Sequence, residues 1–171
     1  GRSMLEMMTV VALMATISGF ALPPIQGFVN QVKLRGERMA LLQDIRMVRY
    51  AAIESRRPAY LCAVDTNGDC VRTQHWSSVC LGFVDLNING RFDRDDDRLV
   101  INHAGLAETS RVAVYMHARW QDIKFDGRGV LRRSGHLRIC NPTIHEQRPM
   151  KLIRMNTYGR LAVETQVLAC E

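Results

Sequence analysis

Residues 3–24, SMLEMMTVVALMATISGFALPP, are the stretch of sequence that decides the fold. Between Met7 and Val32 the chain carries no charged side chain, and about 26 helical residues at roughly 1.5 Å each exceed the ~30 Å hydrocarbon core of a bilayer. One acid, Glu6, stands near the start of this stretch. The sequence therefore predicts an N-terminal helix that can cross a membrane.

Pro23 and Pro24 fall near the middle of the predicted helix. Proline lacks a backbone N–H and clashes with the preceding turn, so we expect a kink or a short melted stretch there rather than a chain reversal. Basic residues lie on both sides of the span, with Arg2 before it and Lys33 and Arg35 after it, and they give no clear orientation. The apolar core is too long for a cleaved secretory signal and no small-residue cleavage site follows it, so we expect the helix to be retained.

The residues after the prolines predict an amphipathic continuation of the helix. Apolar residues recur at spacings of 7, 4, 3 and 4, which mark one helix face: Leu34, Leu41, Ile45, Val48 and Ala52. Charged residues predict the solvent face: Lys33, Arg35, Arg38, Asp44, Arg46 and Arg49. The helix should end near Arg56, because Pro58 disfavours helical geometry in the residue before it. One helix over residues 3–56 is the simplest interpretation.

From Pro58 onward the hydrophobic period falls to about two and glycine turns become frequent. Short alternating runs separated by Asn-Gly, Asp-Gly and similar turns indicate an antiparallel sheet. The predicted strands are 59–64, 79–84, 98–101, 112–116, 122–125, 135–139, 152–155 and 160–165. Nothing resembles the strand–helix alternation of a nucleotide-binding sheet, so the sequence predicts an α+β protein.

Length and charge limit the class of protein. The chain has 171 residues and a mass of 19.4 kDa, which leaves room for one globular domain beside the N-terminal helix. Its net charge is +6 and its pI is about 9.4. A positive balance suits an acidic partner, nucleic acid or anionic lipid headgroups.

The chain has five cysteines: Cys62, Cys70, Cys80, Cys140 and Cys170. No C-x-x-C pair occurs and the histidines are not grouped with them, so we do not expect a zinc site. Cys62 and Cys70 flank an Asn-Gly turn, whereas Cys140 and Cys170 each lie near the end of a late predicted strand. The predicted disulfides are therefore 62–70 and 140–170, with Cys80 unpaired, if the domain lies in an oxidising compartment.

Residues 85–96 begin like a calcium-binding EF-hand loop. Oxygen-bearing side chains stand at five positions of that pattern: Asp85, Asn87, Asn89, Asp93 and Asp96. The last of these is an aspartate where the motif needs a bidentate glutamate, and no flanking helix is predicted. Asn and Asp also build turns by bonding their own backbone, and we prefer that interpretation to a calcium site. No other metal and no cofactor is expected.

Catalytic patterns are missing from the sequence. The five histidines are dispersed, and no G-x-S-x-G, H-E-x-x-H or P-loop pattern occurs. Cys80 and His75 could form a thiol–imidazole pair, but nothing in the sequence orients them. We therefore expect no enzymatic activity.

The N-terminal residues resemble those of type IV pilins. Glu6 lies at the fifth position after Gly1 and opens a long apolar helix with a proline near its middle. The remainder resembles the GspH/FimT pilin-like family in matches that follow in the family's order: Trp76, 82–90, 123–129, 136–140 and 153–163. The resemblance therefore extends over nearly the whole chain.

The resemblance implies an α+β, pilin-like fold with three parts. These are a membrane and filament-core helix over 1–32, its amphipathic continuation over 33–57 and an antiparallel head over 58–171. The implied function is that of a non-enzymatic minor pilin or pseudopilin, at or near the tip of a type IV pilus or a type II secretion pseudopilus. Its partners would be other pilins or pseudopilins, contacted through the N-terminal helix, and the inner membrane before assembly. The head of this single-pass protein would lie in the periplasm, and after assembly in a periplasmic or cell-surface filament.

Three N-terminal residues take roles from the resemblance. A prepilin peptidase would cut after Gly1, and the new terminus, Arg2, would be methylated; the family usually has phenylalanine there. Glu6 would pair with the α-amino group of a neighbouring subunit and set its register. An ionised carboxylate at the bilayer centre costs roughly 2.5–3.5 kcal/mol on insertion scales, which favours such a partner. The alternative is a carboxylate that extends to the headgroup layer.

DNA uptake is the alternative function. Some FimT-type pilins bind DNA through a C-terminal Gly-Arg-x-Arg pattern, and here Gly159 and Arg160 are followed by Leu161 and Ala162, without the second arginine. Four late basic residues remain candidate DNA contacts: Arg148, Lys151, Arg154 and Arg160.

Overall fold

A computed structural model describes residues 3–65, 67, 69–71, 73, 75–76, 80–103, 111–116, 122–140 and 149–167. The chain divides into two compact units, Gly1–Gly36 and Glu37–Glu171. The boundary between them falls inside the long N-terminal helix. The domain limits predicted at residues 32 and 57 stay predictions.

The N-terminal helix, α1 (Met4–Ser55), spans 52 residues. It begins after Ser3, whose hydroxyl accepts a hydrogen bond from the Leu5 N–H at 3.4 Å. The helical backbone continues without interruption through residues 23 and 24, so the melted stretch predicted at the prolines does not form. Proline fixes φ at about −65°, which is compatible with helical geometry, so the helix continues through both residues. The predicted kink stays a prediction.

The second half of α1 buries the apolar face that its spacing predicted. Leu41, Ile45, Val48 and Ala52 are all between 0% and 2% exposed. Because this face lies within the unit Glu37–Glu171, it forms part of the core of the head.

Asp44 and Arg49, which the sequence assigned to the solvent face, are covered instead. Asp44 is only 7% exposed, and Arg49 is half-buried and donates hydrogen bonds to backbone carbonyls of the head. The prediction was wrong at these positions because apolar periodicity marks only the apolar part of a buried face. Polar groups with hydrogen-bond partners can widen that face.

Five antiparallel strands form the first sheet: β1 (Ala59–Val64), β2 (Cys70–Val71), β4 (Cys80–Val84), β5 (Arg98–His103) and β7 (Ile123–Phe125). Their order is β2–β1–β4–β5, and β7 also pairs with β1. In the register, Leu61 on β1 lies opposite Gly82 on β4 and Ile123 on β7. The pairing of β4 with β5 shifts between Gly82 and Phe83, which is a β-bulge.

The second sheet also has five antiparallel strands: β3 (His75–Trp76), β6 (Arg111–Met116), β8 (Gly135–Cys140), β9 (Pro149–Met155) and β10 (Leu161–Val167). Their order is β10–β9–β8–β6–β3. The eight predicted strands are thereby confirmed, with small shifts at their ends. Strands β2 and β3 were not predicted, because two residues are too few to show a period of two.

Both faces of the first sheet are covered, which is why β1 and β4 are buried along their length instead of alternating. On the helix side, a Cβ at Gly82 would lie 2.7 Å from a methyl carbon of Val48. On the other side, the rings of Tyr60 and Phe83 stack with centroids 5.2 Å apart, and Phe92 packs on Phe83 at the same distance. The loop that carries Phe92 therefore closes the second face.

Candidate assembly surfaces

Glu6 lies in the first turn of α1, in the unit Gly1–Gly36. Its N–H donates to the Ser3 carbonyl oxygen at 3.0 Å, and its own carbonyl oxygen accepts the Thr9 hydroxyl at 2.8 Å. An acid in this turn also stabilises a helix by interacting with the helix dipole. Gly1 and Arg2, the predicted processing site, lie outside the described residues.

The side chains around Glu6 are apolar and exposed. Met4, Leu5, Met7 and Met8 are 59–86% exposed. All other side chains from residue 3 to residue 16 are also exposed. An apolar surface of this extent calls for a cover, either lipid or protein. Among the described residues, no helix is at once long enough and apolar enough to span a bilayer.

Arg49 joins the C-terminal half of α1 to two turns of the head. Its Nε donates to the Gly129 carbonyl oxygen at 2.9 Å, and Nη1 and Nη2 donate to the carbonyl oxygens of Gly159 and Tyr158 at 3.1 Å each. We call this contact of Arg49 with Gly129, Tyr158 and Gly159 the arginine junction. One planar guanidinium thereby fixes the helix and both turns in a single arrangement.

The two turns of the arginine junction need glycine. Gly129 and Gly159 have φ values of 74° and 72°, in the left-handed region that disfavours other residues. A Cβ at Gly129 would lie 2.6 Å from Ile53 Cδ1, and one at Gly159 would lie 2.8 Å from Arg49 Nε. Glycine therefore lets both turns lie directly against the helix.

Sequence reasoning missed this junction. It used Gly159 as a turn signal, named Gly129 only as the end of the run 123–129 that carries the family resemblance, and placed Arg49 on the solvent face. The bonded residues are 80 and 110 positions apart, so no local pattern could have indicated the contact. The glycine turns were its only visible trace.

Hydrogen bonds fold the loop 85–97 that was weighed as a calcium site. The carboxylate of Asp85, a fully buried residue, accepts the N–H groups of Asn89 and Gly90 at 3.1 and 2.9 Å. The side-chain amides of Asn89 and Asn87 donate to the Asp93 carboxylate, and these bonds hold the pKa of Asp93 below its usual value. The side chains thus serve as turn-building groups.

Asp97, and not the predicted Asp96, completes this loop. Its two carboxylate oxygens accept the N–H groups of Leu86 and Asp93, both at 2.9 Å. In the part of the chain that the structure describes, no group of three or more His, Cys, Asp or Glu side chains is arranged to hold a metal ion.

Cys62 and Cys70 form a disulfide, with Cα atoms 5.6 Å apart. This is the first of the two pairs expected from the sequence. Cys62 belongs to the buried cluster that contains Tyr60 and Phe83, and Cys70 packs against this cluster. The disulfide therefore connects the turn after β1 to the core that supports the loop 85–97.

Cys80 is a free thiol buried in β4. Burial, and then the charge of Asp44, raises its pKa to about 12. Such a thiol stays protonated at neutral pH, so it does not supply the thiolate that a pair with His75 would require. Cys170 and the side chain of Cys140 lie outside the description, and their pairing stays a prediction.

The candidate DNA contacts have different surroundings. Arg154 on β9 forms an ion pair with Glu164 on β10, with Nη2 3.1 Å from Oε2. Arg160 is exposed and lies two positions after Tyr158, which is 76% exposed. The structure does not describe the side chains of the other two: Arg148 and Lys151.

Positive charge accumulates on the neighbouring strands of the second sheet. His136 on β8 lies opposite Arg154 in the register. Burial, followed by the charges of Arg138 and Arg154, lowers the pKa of His136. This imidazole is therefore held in its neutral form near arginine side chains.

The fold matches that of pilins. Two crystal structures of the type IV minor pilin FimU from Pseudomonas aeruginosa (strain PAO1) are similar to this chain. The crystal form in space group P21 has a TM-score of 0.59 and 15% identity, and the match covers 80% of this chain and 92% of FimU. The form in space group P65 has a TM-score of 0.53 and 14% identity, with 78% and 91% covered. The predicted α+β, pilin-like fold is thus confirmed.

The family follows from the sequence match. Residues 37–158 match the model of the family described as Type II transport protein GspH. The chain belongs to this family, and the predicted GspH/FimT-type resemblance is confirmed. No curated protein matches the chain.

Proposed function

We propose that the chain is a non-enzymatic minor pilin or pseudopilin. It would lie in the inner membrane as a single-pass protein with its head in the periplasm. It would then enter a type IV pilus or a type II secretion pseudopilus, at or near the tip. The observation that supports this most strongly is the exposed apolar surface from Met4 to Met14 around Glu6. Lipid would cover it before assembly, and the helices of neighbouring subunits afterwards.

Glu6 is the one acid on this apolar surface. In a surrounding that excludes water, an ionised carboxylate requires a positive partner. The α-amino group of Arg2 on a neighbouring subunit would supply it, after a prepilin peptidase has cut behind Gly1. Pairing of the two would set the register between subunits. N-terminal mass spectrometry of the mature chain tests this processing step, with a methylated Arg2 as the expected first residue.

Incorporation into filaments tests the role of Glu6. The full chain would be expressed with its native assembly partners as Glu6→Ala, Glu6→Gln and the control Thr16→Ala, which is exposed on the same helix. We expect both Glu6 variants to enter sheared or cross-linked filaments at least about tenfold less than the wild type, because an unpaired amino group is left in an apolar contact. The control should behave as the wild type. Normal incorporation of Glu6→Ala would contradict the pairing.

A second candidate function is DNA binding by the same subunit. It is favoured by the exposed Tyr158 close to the exposed Arg160, since an aromatic ring can stack on bases while arginine contacts phosphate. The ion pair of Arg154 with Glu164 weakens it, because that charge is already engaged. Gel-shift titrations at low and moderate salt would decide. A complex that weakens with salt and with Arg160→Ala supports DNA binding, and no complex at low salt excludes it.

A further inference from the structure

Three segments of the head meet around the arginine junction. The C-terminal end of α1 contacts the turn that ends at Gly129, since a Cβ at Gly127 would lie 2.6 Å from the Arg56 carbonyl oxygen. The turn that holds Gly159 contacts the same turn, since a Cβ at Gly159 would lie 2.9 Å from the Gly129 carbonyl oxygen. The residues beside these contacts therefore lie near one another, although they are far apart in the sequence.

Five exposed side chains surround this meeting point, and we call them the junction patch: Ile53, Arg56, Arg128, Tyr158 and Arg160. Ile53 is 44% exposed and Tyr158 is 76% exposed, so the patch offers an aliphatic and an aromatic side chain to solvent. The other three members are arginines. Tyrosine and arginine are enriched where proteins bind one another, and contact residues at the centre of such interfaces are apolar or aromatic.

The charge of the junction patch stays positive when the acids beside it are counted. Two acids lie near it, and each already pairs with an arginine: Asp126 with Arg128 at 3.1 Å, and Glu54 with Arg98 at 2.9 Å. Within the described part of the chain, no acid pairs with Arg56 or Arg160. Arg57, which is also exposed, adds another positive charge next to Arg56. The patch therefore suits a partner that brings carboxylates or phosphates.

Arg56 has a backbone conformation that disfavours a side chain. Its φ is 53°, in the left-handed region, at the residue that follows the end of α1. Helices commonly have glycine at this position, because glycine adopts the left-handed conformation without steric cost. An arginine held there at a conformational cost, exposed and without an acid among the described residues, points to a role outside the fold.

A protein partner suits the junction patch better than nucleic acid does. The exposed side chain of Ile53 gains from contact with apolar surface, which a phosphate backbone does not offer. The carboxylates of Asp126 and Glu54 lie beside the arginines and would repel the evenly spaced phosphates of a duplex. A folded partner can instead place its own carboxylates opposite the arginines alone.

We propose that the junction patch docks on an acidic surface of a different subunit of the same filament. Ile53 and the ring of Tyr158 would form the apolar centre of the contact, and carboxylates of the partner would face Arg56 and Arg160. Because Arg49 fixes both turns, the patch is preorganised and loses little conformational freedom on binding. The proposal rests on the proposed function, which supplies the neighbouring subunit. A contact with a different subunit also needs no row of identical copies, as a place at or near the tip requires.

Photo-cross-linking of the full chain, in cells that express its native assembly partners, tests this contact. The photoreactive amino acid p-benzoylphenylalanine would replace Tyr158, whose backbone carbonyl, and not its ring, belongs to the arginine junction. The reference position is Val163, which is 46% exposed and lies on β10. We expect at least about tenfold more adduct with one other filament subunit from position 158, because docking raises the effective concentration there. Equal yields from the two positions overturn the proposal, and so does an adduct that nuclease removes.

Charge reversal tests the chemistry of the contact. Mass spectrometry of the adduct identifies the cross-linked segment of the partner, in which we expect aspartate or glutamate. Arg160→Glu should reduce the adduct several-fold, and replacement of the partner's acid by arginine should restore it, because opposite charges then face each other again. Restoration supports the proposal. A cross-linked segment without an acid, or a yield that the second change does not restore, overturns it.

Arg56→Gly separates the contact from folding. Glycine relieves the left-handed strain, so the melting temperature of the head should rise, whereas the adduct from position 158 should fall several-fold. Arg56→Lys is the matched control, because it keeps both the charge and the strain and should leave both measurements near those of the wild type. Opposite changes in Arg56→Gly support the proposal, and a higher melting temperature with an unchanged adduct overturns it.

Failure of this contact and failure of the proposed function give different results. If the wild-type chain is found in sheared filaments but position 158 gives no more adduct than position 163, only the contact of the junction patch is removed. If the wild-type chain is absent from filaments, the proposed function itself is removed, whatever the yield of adduct.

Discussion

Replacing Arg49 by alanine should destabilise the head more than the loss of any other charged side chain on α1. The change removes three hydrogen bonds at once, to Gly129, Gly159 and Tyr158. It also removes the contact that holds the helix to two turns whose glycines lie directly against it. The carbonyl oxygens of these three residues remain in place but lose the hydrogen-bond donor that Arg49 supplied.

The size of the effect follows from the number and exposure of these bonds. A hydrogen bond from a charged donor contributes roughly 1.5–3 kcal/mol when buried. The bond to Tyr158 is exposed and Arg49 itself is half-buried, so screening by solvent reduces the sum to about 3 kcal/mol. For a unit of this size, that corresponds to a fall in melting temperature of about 10 °C.

Urea unfolding of the full chain in detergent measures this loss, with the fluorescence of the fully buried Trp76 as one reporter. Arg46→Ala is the matched control, because Arg46 is an exposed arginine on the same helix. Arg49→Lys should recover only about a third of the loss, since one ammonium group cannot reach three divergent carbonyls. If the free energies of unfolding of Arg49→Ala and Arg46→Ala differ by less than about 0.5 kcal/mol, the arginine junction does not stabilise the head.

Four further outcomes are expected. Gly129→Ala should lower the free energy of unfolding by about 2 kcal/mol in urea titrations, because its Cβ would lie 2.6 Å from a side-chain carbon of α1; an unchanged midpoint would show that the turn can move away. Loss of the Cys62–Cys70 disulfide should lower the free energy of unfolding by about 2.5 kcal/mol, given its short loop, and urea titrations of the double alanine variant of these two cysteines against the wild type, without reductant, measure it; equal midpoints would contradict the stabilisation. Cys80 should resist a thiol reagent at pH 8 and react once urea unfolds the head, because burial raises its pKa to about 12; rapid labelling of the native chain at this position would contradict that burial. Burial tends to raise the pKa of Asp126, but the backbone hydrogen bonds of its turn outweigh burial and lower this pKa. The stabilisation by the Asp126 carboxylate is therefore present above its unfolded pKa and is lost as the pH falls through its folded pKa. Asp126→Asn should flatten the acid side of the curve of stability against pH, and identical curves for the variant and the wild type would refute this.

The sequence could predict the elements that repeat a simple pattern. The spacing of Leu41, Ile45, Val48 and Ala52 marked the buried face of α1 because each helical turn repeats the same side. Glycine turns between alternating runs marked eight of the ten strands in the part of the chain that the structure describes. The turn between Cys62 and Cys70 indicated their disulfide, because both ends of a tight turn lie close together.

Features formed between distant segments could not be predicted in the same way. Strand β3 (His75–Trp76) exists only because β6 pairs with it. Asp97, and not the predicted Asp96, accepts the N–H of Leu86 in the loop. Backbone geometry, and not the position in a motif, decides which carboxylate accepts this hydrogen bond. Arg49 was placed on the solvent face because its acceptors come from turns far along the chain.

The segments that carry the family resemblance share a physical task. Three of them, 82–90, 123–129 and 153–163, each place a glycine against the C-terminal half of α1. A Cβ on each would come within 2.6–2.8 Å of a helix atom, in the pairs Gly82 with Val48, Gly129 with Ile53 and Gly159 with Arg49. These positions bring no nucleophile, base or metal ligand together; they let backbone approach backbone or side chain where any larger residue would collide. The pattern therefore describes how the sheets pack on the C-terminal half of α1, in a fold that this chain has in common with FimU at 14–15% identity.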